Sequence, residues 1–288
     1  MSSQTLNRET LADAFRAMGI GAGDGVIVHS SLKSLRQVEG GADAVLDALL
    51  DAVSPSGNVM FPTFNYSRPL PTPHFDPATT PARTGILPER ARLRANAIRS
   101  LHPTHSVAVI GPNAKALTEN HLQTRAFGIG SPIDLLASRG GKILLIGVGQ
   151  MSNSTIHIAE DHAQIPKAGV YDPLPSVGVL QADGSVIEHR LDSSPSCSAA
   201  FEAAAFPLRQ RGAIRDARVG DSMMQMMKGA DVLAIIGQLL ADQPDALLCN
   251  NPQCATCPGT RANLGLKNQA VPVFSEAIIP DSELSFAR

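Results

Sequence analysis

One stretch of the sequence, residues 142–166, constrains the fold more than any other. It reads KILLIGVGQMSNSTIHIAEDHAQIP, and its apolar run at 143–148, which glycines close, is typical of a buried strand in a parallel sheet. A polar loop at 150–154 follows, and the next segment predicts a helix that Pro166 ends. Ligands of open α/β sheets bind beyond the carboxyl ends of the strands, so we expect the chemistry at the start of this helix.

His157 and Glu160 are the candidate catalytic residues of this helix. They are three residues apart and therefore share one helical face. With Asn153 as the N-cap, His157 is the fourth helical residue, where the positive end of the helix dipole disfavours imidazolium and leaves the imidazole available as a general base. Glu160 could then accept a proton-bearing amine or steer it. The alternative is a polar face, extending to Asp161 and Gln164, that simply contacts water.

The rest of the chain alternates between strand and helix patterns. An alternating segment at 176–192, with Asp183 and Gly184 at its turn, predicts a β-hairpin. The spacing of the first strands predicts a strand–helix–strand unit with parallel strands. Helices are predicted at 5–18, 42–53, 87–97, 135–139, 199–211 and 231–240, and strands at 26–28, 59–61, 107–110 and 143–148.

These patterns together predict the fold class. We expect a single-domain α/β/α sandwich over residues 1–265, with a mostly parallel central sheet, the hairpin as an excursion and a C-terminal tail at 266–288. The proline-rich segment 65–83 predicts a long loop, of the kind that usually serves as a lid or binding loop.

Composition narrows the possible partners. The chain has 288 residues and a formal net charge of −2, which gives no argument for nucleic acid or an anionic membrane. Its first residues, MSSQTLNRETLADAFRAMG, contain no apolar signal region, and no apolar run reaches the roughly 18 residues of a membrane span. We therefore expect a cytoplasmic protein that binds neither nucleic acid nor membranes.

Two polar loops could bind a ligand. The loop at 29–33, HSSLK, follows the first strand, and its hydroxyl and N–H groups could hold phosphate or carbonyl oxygens or form a turn without a ligand. The loop at 102–106, HPTHS, places two histidines before a strand, where one could pair within an active site or both could cap nearby carbonyls. Neither nucleotide-binding glycine fingerprint is present.

The four cysteines offer a weaker signal. Cys249, Cys254 and Cys257 have part of the spacing of a zinc knuckle, but the fourth cysteine, Cys197, lies far from them in sequence. Structural zinc normally takes four ligands, so we favour free thiols and expect no metal. Cys197 could also be a nucleophile, although free cysteines are most often small buried residues. Four cysteines are too few for a disulfide scaffold at this length.

Several stretches in one order resemble a single family, the aminoglycoside N3-acetyltransferases, whose fold differs from that of the GNAT acetyltransferases. Together they span residues from about 5 to 262, which makes the resemblance more specific than any single motif. The stretches are HSSLKSL, VEGGADAVLDALLDAV, MFPTF, FDPATTPARTGILPE, SLHPTHSVAVIG, FGIGSP, LLIGVG with SNSTIHIAE, PSCSAAF and LLCNNPQCATC.

The resemblance implies an α/β sandwich that binds acetyl-coenzyme A and transfers the acetyl group to an amine without a covalent enzyme intermediate. It implies that His157 is the general base and that Glu160 orients or contacts the substrate amine. It also implies a set of contacts to the pantetheine and thioester of the coenzyme: Ser30, Ser31, Leu32, His105 and Ser106. Backbone N–H groups near Ser31 or Ser106 are candidates for stabilising the oxyanion.

The substrate is the least constrained part of the prediction. A cleft for a polycationic aminoglycoside should contain carboxylates, and we expect Glu160 and Asp76 to bind the substrate, a 2-deoxystreptamine aminoglycoside that is acetylated at its 3-amino group. Two alternatives are an N-acyltransferase of the same fold with a different amine, and a non-catalytic coenzyme- or metal-binding protein built around the cysteine segment. The oligomeric state, monomer or homodimer, stays open.

Overall fold

A computed structural model describes residues 6–65, 69–168, 173–192 and 197–266. Within these ranges the strands are β1 (Gly25–Ser30), β2 (Asn58–Pro62), β3 (Ala97–Arg99), β4 (Val107–Ile110), β5 (Lys142–Ile146), β6 (Ser176–Leu180), β7 (Val186–Arg190), β8 (Arg215–Val219) and β9 (Ser222–Lys228). The α-helices are α1 (Arg8–Ala17), α2 (Gly41–Val53), α3 (Ile86–Arg92), α4 (Ala114–Thr118), α5 (Pro132–Ser138), α6 (Thr155–His162), α7 (Ala205–Gln210), α8 (Gly229–Asp242) and α9 (Cys257–Asn263).

The central sheet has the strand order β3-β4-β2-β1-β5-β9-β8 in the described part of the chain. β1 is parallel to both neighbours, β2 and β5. The outer strands β3, β4, β8 and β9 are each antiparallel to the strands beside them. Only β4 and β9 are therefore reversed, and five of the seven strands run in one direction. The predicted α/β sandwich with a mostly parallel sheet is confirmed, although parallel neighbours occur only among β2, β1 and β5.

Helices cover both faces of the sheet. Successive residues of a strand point to opposite faces, so Ile27 and Ile143 pack with α5, α6 and α8, while Val28 and Leu144 pack with α1, α2 and α3. All four side chains are fully buried, and each contributes roughly 1.5–3 kcal/mol of hydrophobic stabilisation. This double burial explains why the central strands are almost wholly apolar.

The hairpin of β6 and β7 forms a separate two-stranded sheet, as predicted. The backbone of Phe75, in the proline-rich loop, exchanges hydrogen bonds with Gly178 (2.8 Å) and Leu180 (2.9 Å) of β6. The Phe75 ring is buried in a small apolar cluster with Val177 and Val179. The excursion therefore anchors the proline-rich loop.

Three secondary-structure predictions are corrected. The helix predicted at 87–97 ends at Arg92, because Ala97 pairs with Ile110 in the sheet. The helix predicted at 199–211 is a 3₁₀ turn, Phe201–Ala204, followed by the short α7. No strand was predicted at 215–228, where β8 and β9 lie. The methionine-rich β9 has no β-branched signature, and its pairing with β5 is long-range.

Two other predictions meet the limits of the described ranges. All of the predicted tail except residue 266 lies outside them, so the domain boundary at residue 265 stays a prediction. None of the helices within them has the length and apolar character that a membrane crossing requires.

Gly147 tests the packing at the end of β5. It has a left-handed backbone (φ 61°), and a Cβ there would overlap the side chain of Ser34. We expect Gly147→Ala to lower the free energy of unfolding by about 2–4 kcal/mol, since both strain and overpacking oppose it. Gly237→Ala in α8 is the matched control, because a Cβ at Gly237 has nothing within 4 Å, and it should raise stability by about 1 kcal/mol. Urea unfolding curves measure the free energy of unfolding of both variants. Equal changes would contradict the close packing of Gly147 against Ser34.

Candidate active site

A cavity of about 310 Å³ lies where β1 and β2 end and where the loop after β5 enters α6. This is the edge at which the sequence predicts ligand binding. The cavity combines hydroxyl, imidazole, amide and apolar groups. Its lining residues are Val28, His29, Ser30, Pro62, Phe64, Thr84, Pro88, His105, Phe127, Met151, Ser152, Asn153, Ser154, His157 and Ser198.

The loop between β5 and α6 positions the helix that carries His157 and Glu160. It contains a 3₁₀ turn, Gln150–Ser152, and α6 begins at Thr155. Asn153 is therefore not the N-cap; its Oδ1 accepts from the Thr155 N–H (3.1 Å), and its Nδ2 donates to Gln150 (2.9 Å). His157 is thus the third helical residue rather than the fourth. It remains in the first turn, at the positive end of the dipole.

His157 and Glu160 form a buried pair. Nδ1 of His157 lies 2.8 Å from Oε2 of Glu160, and the exposed fractions of the two residues are only 6% and 1%. The imidazole is stacked on Phe127, with ring centroids 4.8 Å apart, and tilted against Phe201 at 4.6 Å. A solvated polar face is therefore wrong for this helix, since Asp161 is also buried, at 5% exposure.

The charge of Glu160 fixes the tautomer of His157. Burial raises the pKa of Glu160, but the hydrogen bond and charge of His157 and the nearby Lys167 ammonium outweigh it, so the pKa is lowered. The Lys167 Nζ lies 3.4 Å from the same carboxylate oxygen. An ionised carboxylate can only accept hydrogen bonds, so Nδ1 of His157 carries the hydrogen. With the hydrogen on Nδ1, Nε2 is the nitrogen whose lone pair can take up a proton.

The two predicted substrate carboxylates are not in the cavity lining. Glu160 lies behind His157, where it contacts the imidazole and Lys167. Asp76 lines a second cavity, of about 410 Å³, within the proline-rich loop. There its carboxylate accepts from Thr79 Oγ1 (2.6 Å) and the Ala78 N–H (2.8 Å), and the Thr79 bond is the main cause of its lowered pKa. The structure therefore does not bring Asp76 to His157.

Of the five predicted coenzyme contacts, some line the cavity and others do not. Ser30 and His105 line the cavity. The Ser31 N–H donates to the Ile146 carbonyl (2.8 Å), so it is not available to an oxyanion. Ser106 is fully buried, and its Oγ accepts from Nε of Arg99 (2.9 Å). Leu32 begins a 3₁₀ turn outside the cavity lining. Of the adjacent pairs Ser30–Ser31 and His105–Ser106, only Ser30 and His105 therefore line the cavity.

His29, to which the sequence analysis assigned no role of its own within the loop at 29–33, also lies in the site. It lies near the end of β1 and lines the cavity, and its Nε2 has no hydrogen-bond partner among the described residues. Burial lowers its pKa to about 3, so the imidazole is neutral at physiological pH. A polar residue at the carboxyl end of a wholly apolar strand was the signal that could have identified it.

More imidazoles lie beside the cavity, and all are neutral. The ring of His102 lies 4.9 Å from that of His121 and 6.0 Å from that of His105. Burial lowers the pKa of His105 to about 3 and that of His121 to about 4. Nδ1 of His121 lies 2.8 Å from Oγ of Ser100, and Nε2 donates to a carbonyl. This loop therefore packs neutral rings behind the cavity wall.

The cavity lining carries no Asp, Glu, Lys or Arg in the ranges that the structure describes. The acidic cleft expected for a polycation is therefore not formed by these residues. Asp172, a further carboxylate available from the sequence, lies outside the described residues.

The buried histidines predict a specific dependence of stability on pH. The folded pKa values of His29, His105 and His121 lie below the ordinary value of 6.5, so the unfolded chain binds more protons as the pH falls from about 6.5 toward 4. Stability should be complete above 6.5 and decrease below it, by up to about 1.4 kcal/mol per pH unit for each histidine.

Urea unfolding at pH 7, 6 and 5 measures this slope, in a window where carboxylates contribute little. His29→Asn removes one titrating group that has no hydrogen-bond partner in the described structure, and it should make the slope shallower. Equal stability at pH 7 and pH 5 would show that the buried rings accept protons without unfolding.

Comparisons with known proteins give the family. A family model described as aminoglycoside 3-N-acetyltransferase matches residues 27–241. Aminoglycoside N(3)-acetyltransferase III from Salmonella sp is 38% identical over 189 residues, 59% of this chain and 66% of that relative. The chain thus spans just under two thirds of the relative's length.

Solved structures share the fold. A histidine-to-alanine mutant of aminoglycoside acetyltransferase AAC(3)-IVa, in complex with gentamicin, has a TM-score of 0.79 and 26% identity, over 91% of this chain and 99% of that one. AAC-IIIb, in a binary complex with CoASH, has a TM-score of 0.72 and 25% identity, over 83% and 98%. Because the family model covers most of the sequence, this protein belongs to the aminoglycoside 3-N-acetyltransferase family.

Proposed function

We propose that this protein transfers the acetyl group of acetyl-coenzyme A to the 3-amino group of a 2-deoxystreptamine aminoglycoside, with His157 as the general base. The observation that carries the proposal is the buried His157–Glu160 pair at a cavity on the carboxyl edge of the sheet, in a chain of this family. The relatives named above support both substrates, since one is described with gentamicin and the other with CoASH.

The His157–Glu160 pair suits direct transfer of the acetyl group to the amine. An aliphatic amine is mostly ammonium at neutral pH, so it must lose a proton before its nitrogen can attack. Nε2 of His157 takes that proton, and Glu160, 2.8 Å from Nδ1, stabilises the resulting imidazolium. The amine lone pair then forms the bond to the thioester carbonyl carbon. Collapse of the tetrahedral intermediate breaks the carbon–sulfur bond, and the leaving thiolate takes up the second proton that the nitrogen loses to become an amide. The proton held by His157 passes to solvent.

The size and polarity of the cavity fit the reacting ends of two substrates. Its volume of about 310 Å³ is at the low end for ligand pockets, so the bulk of the coenzyme and of the amine would lie outside it. Ser30 and His105 offer hydroxyl and imidazole groups to the thioester end. Phe127 closes one side of His157 and keeps water from its ring.

One observation favours a second candidate function. A lining without carboxylates in the described ranges suits an amine of lower charge better than a polycation. The same fold and the same base would then acetylate a different amine. This second reaction keeps acetyl-coenzyme A, His157 and Glu160 and changes only the acceptor.

His157→Ala tests the base. We expect kcat to fall by about 10²–10⁴-fold, because a positioned general base contributes about that much, while the affinity for acetyl-coenzyme A is largely retained. Release of free thiol measures turnover, and calorimetry measures binding. His162→Ala is the matched control on the same helix, since His162 contacts Asp134 outside the cavity lining and should leave kcat unchanged. An unchanged kcat for His157→Ala would remove the base role.

Glu160→Gln tests whether Glu160 positions His157 or contacts the amine. We expect kcat to fall by about 10- to 100-fold with little change in KM, because Glu160 is 1% exposed and touches His157 rather than the cavity. Steady-state kinetics with varied amine separates the two parameters. A large rise in KM for the amine at constant kcat would instead show direct contact with the substrate.

The acceptor is tested with a panel of amines in the thiol-release assay. Gentamicin- and kanamycin-type aminoglycosides represent the proposed substrates, and monoamines of similar size represent the second candidate. Fast turnover of the aminoglycosides, with the product acetylated at the 3-amino group by NMR, supports the first proposal. Turnover of monoamines alone supports the second. No turnover of any amine, with acetyl-coenzyme A bound, contradicts both.

A further inference from the structure

All four cysteines of the chain meet at one point of the fold, and none of them lines the cavity. Cys197 lies just before the 3₁₀ turn Phe201–Ala204, Cys249 follows α8, and Cys254 and Cys257 lie at the start of α9. Their Sγ atoms all lie within 4.8 Å of one another. Three segments that are separate in sequence therefore contribute sulfur atoms to one cluster.

The spacing matches the coordination shell of a single ion. A tetrahedral zinc site with Zn–S bonds of about 2.3 Å has sulfur atoms about 3.8 Å apart. The Sγ atoms of Cys197 and Cys249 are 3.8 Å apart, far beyond the roughly 2.0 Å of a disulfide. Cys254 and Cys257 have the C-x₂-C spacing with which zinc knuckles hold two ligands on one turn.

A backbone N–H group and a hydroxyl group lie against two of the sulfur atoms. The Ala199 N–H donates to Cys197 at 3.4 Å. Oγ1 of Thr256 lies 3.6 Å from Sγ of Cys254. Hydrogen bonds to the charged form stabilise a thiolate, and four neutral thiols would need no such donors.

A buried arginine holds the same loop in place. The Arg261 guanidinium is 3% exposed and donates to the carbonyls of Cys249 (2.8 Å) and Leu248 (2.9 Å). Its positive charge also offsets part of the net negative charge that a divalent ion with four thiolates carries. The loop geometry is thus fixed by contacts that do not use the sulfur atoms.

We propose that Cys197, Cys249, Cys254 and Cys257 bind one structural Zn²⁺ ion. The sequence had favoured free thiols because Cys197 is remote from the other three, and the fold removes that objection. Four protein ligands close the coordination shell and leave no position for a substrate, which identifies the site as structural rather than catalytic. The proposal does not depend on the acetyl-transfer reaction.

The position of the site gives it a role in shaping the active site. Ser198, next to Cys197, lines the cavity, and the Phe201 ring packs on His157 at 4.6 Å. The ion would therefore join this wall of the cavity to the end of α8 and the start of α9. Loss of the ion should loosen the wall without removing any reacting group.

Metal content of the full-length chain, purified from zinc-containing medium, is the first measurement. Elemental mass spectrometry should find one zinc ion per chain. Cys254→Ser should reduce zinc to well below one per chain and lower the melting temperature by several degrees. Gln253→Ala is the matched control, because this neighbouring residue is exposed, and it should keep the wild-type values.

A measurement on the wild-type chain covers the case in which Cys254→Ser does not fold. Titration with a mercurial thiol reagent should release one zinc, detected with a metal-binding dye, as the four thiols react. Protein from cobalt medium should show the intense visible bands of tetrahedral cobalt–thiolate coordination. These readouts do not involve turnover, so a failure of the zinc site and a failure of the acetyl-transfer proposal are distinguishable.

Four results would overturn the proposal. Protein without metal, in which all four thiols react freely, would show a cluster of ordinary cysteines. An intact mass lower by four hydrogens would show two disulfides. Stoichiometric iron in place of zinc, or zinc that Cys254→Ser retains in full, would show that the metal or the ligand set is wrong.

Discussion

The position of β1 between two parallel neighbours is the constraint on which the site depends. Because β2 and β5 run in the same direction as β1, the chain leaves all three strands at one edge of the sheet. The cavity opens at this edge and takes His29 from β1 and the start of α6 from the segment after β5. The tight passage at Gly147, against Ser34, fixes how that segment leaves the sheet. The antiparallel outer strands widen the sheet without changing this edge.

The second constraint is the charge that α6 buries. A carboxylate as buried as Glu160 is stable only if its charge is compensated, and His157 and Lys167 supply that compensation. The same bond holds the imidazole in one tautomer, and the rings of Phe127 and Phe201 limit its rotation. The geometry of the His157–Glu160 pair is therefore set without a ligand. This preorganisation follows from burial, which a solvated His-x-x-Glu face would not have.

The cavity wall that carries Phe201 lies between His157 and the cluster of four cysteines. The 3₁₀ turn with Phe201 follows Cys197 by only four residues, so a metal ion at the cysteine cluster would lie close to the support of His157. The other side of the cavity is supported differently, by neutral histidines and the aromatic ring of Phe64. One wall thus depends on packing among rings, and the other would depend on a metal cross-link between distant segments.

Local patterns in the sequence were sufficient for the α/β fold, the hairpin at 176–192 and the helix that carries His157 and Glu160. Periodicity and turn residues act over short distances, and they give these elements directly. The same local reading missed β9, because only its pairing with β5 makes a methionine-rich segment a strand. It also extended the helix at 87–97 too far, because Ala97 belongs to the sheet.

The sequence by itself determined which residues could act as a base and which motifs stand together in order. Only the tertiary structure decided that Glu160 lies behind His157, that Asp76 belongs to another cavity and that Ser106 is enclosed. It alone brought Cys197 to the other three cysteines. The physical reason is that burial, side-chain direction and contacts between distant segments depend on how the elements pack, and no local pattern contains that information.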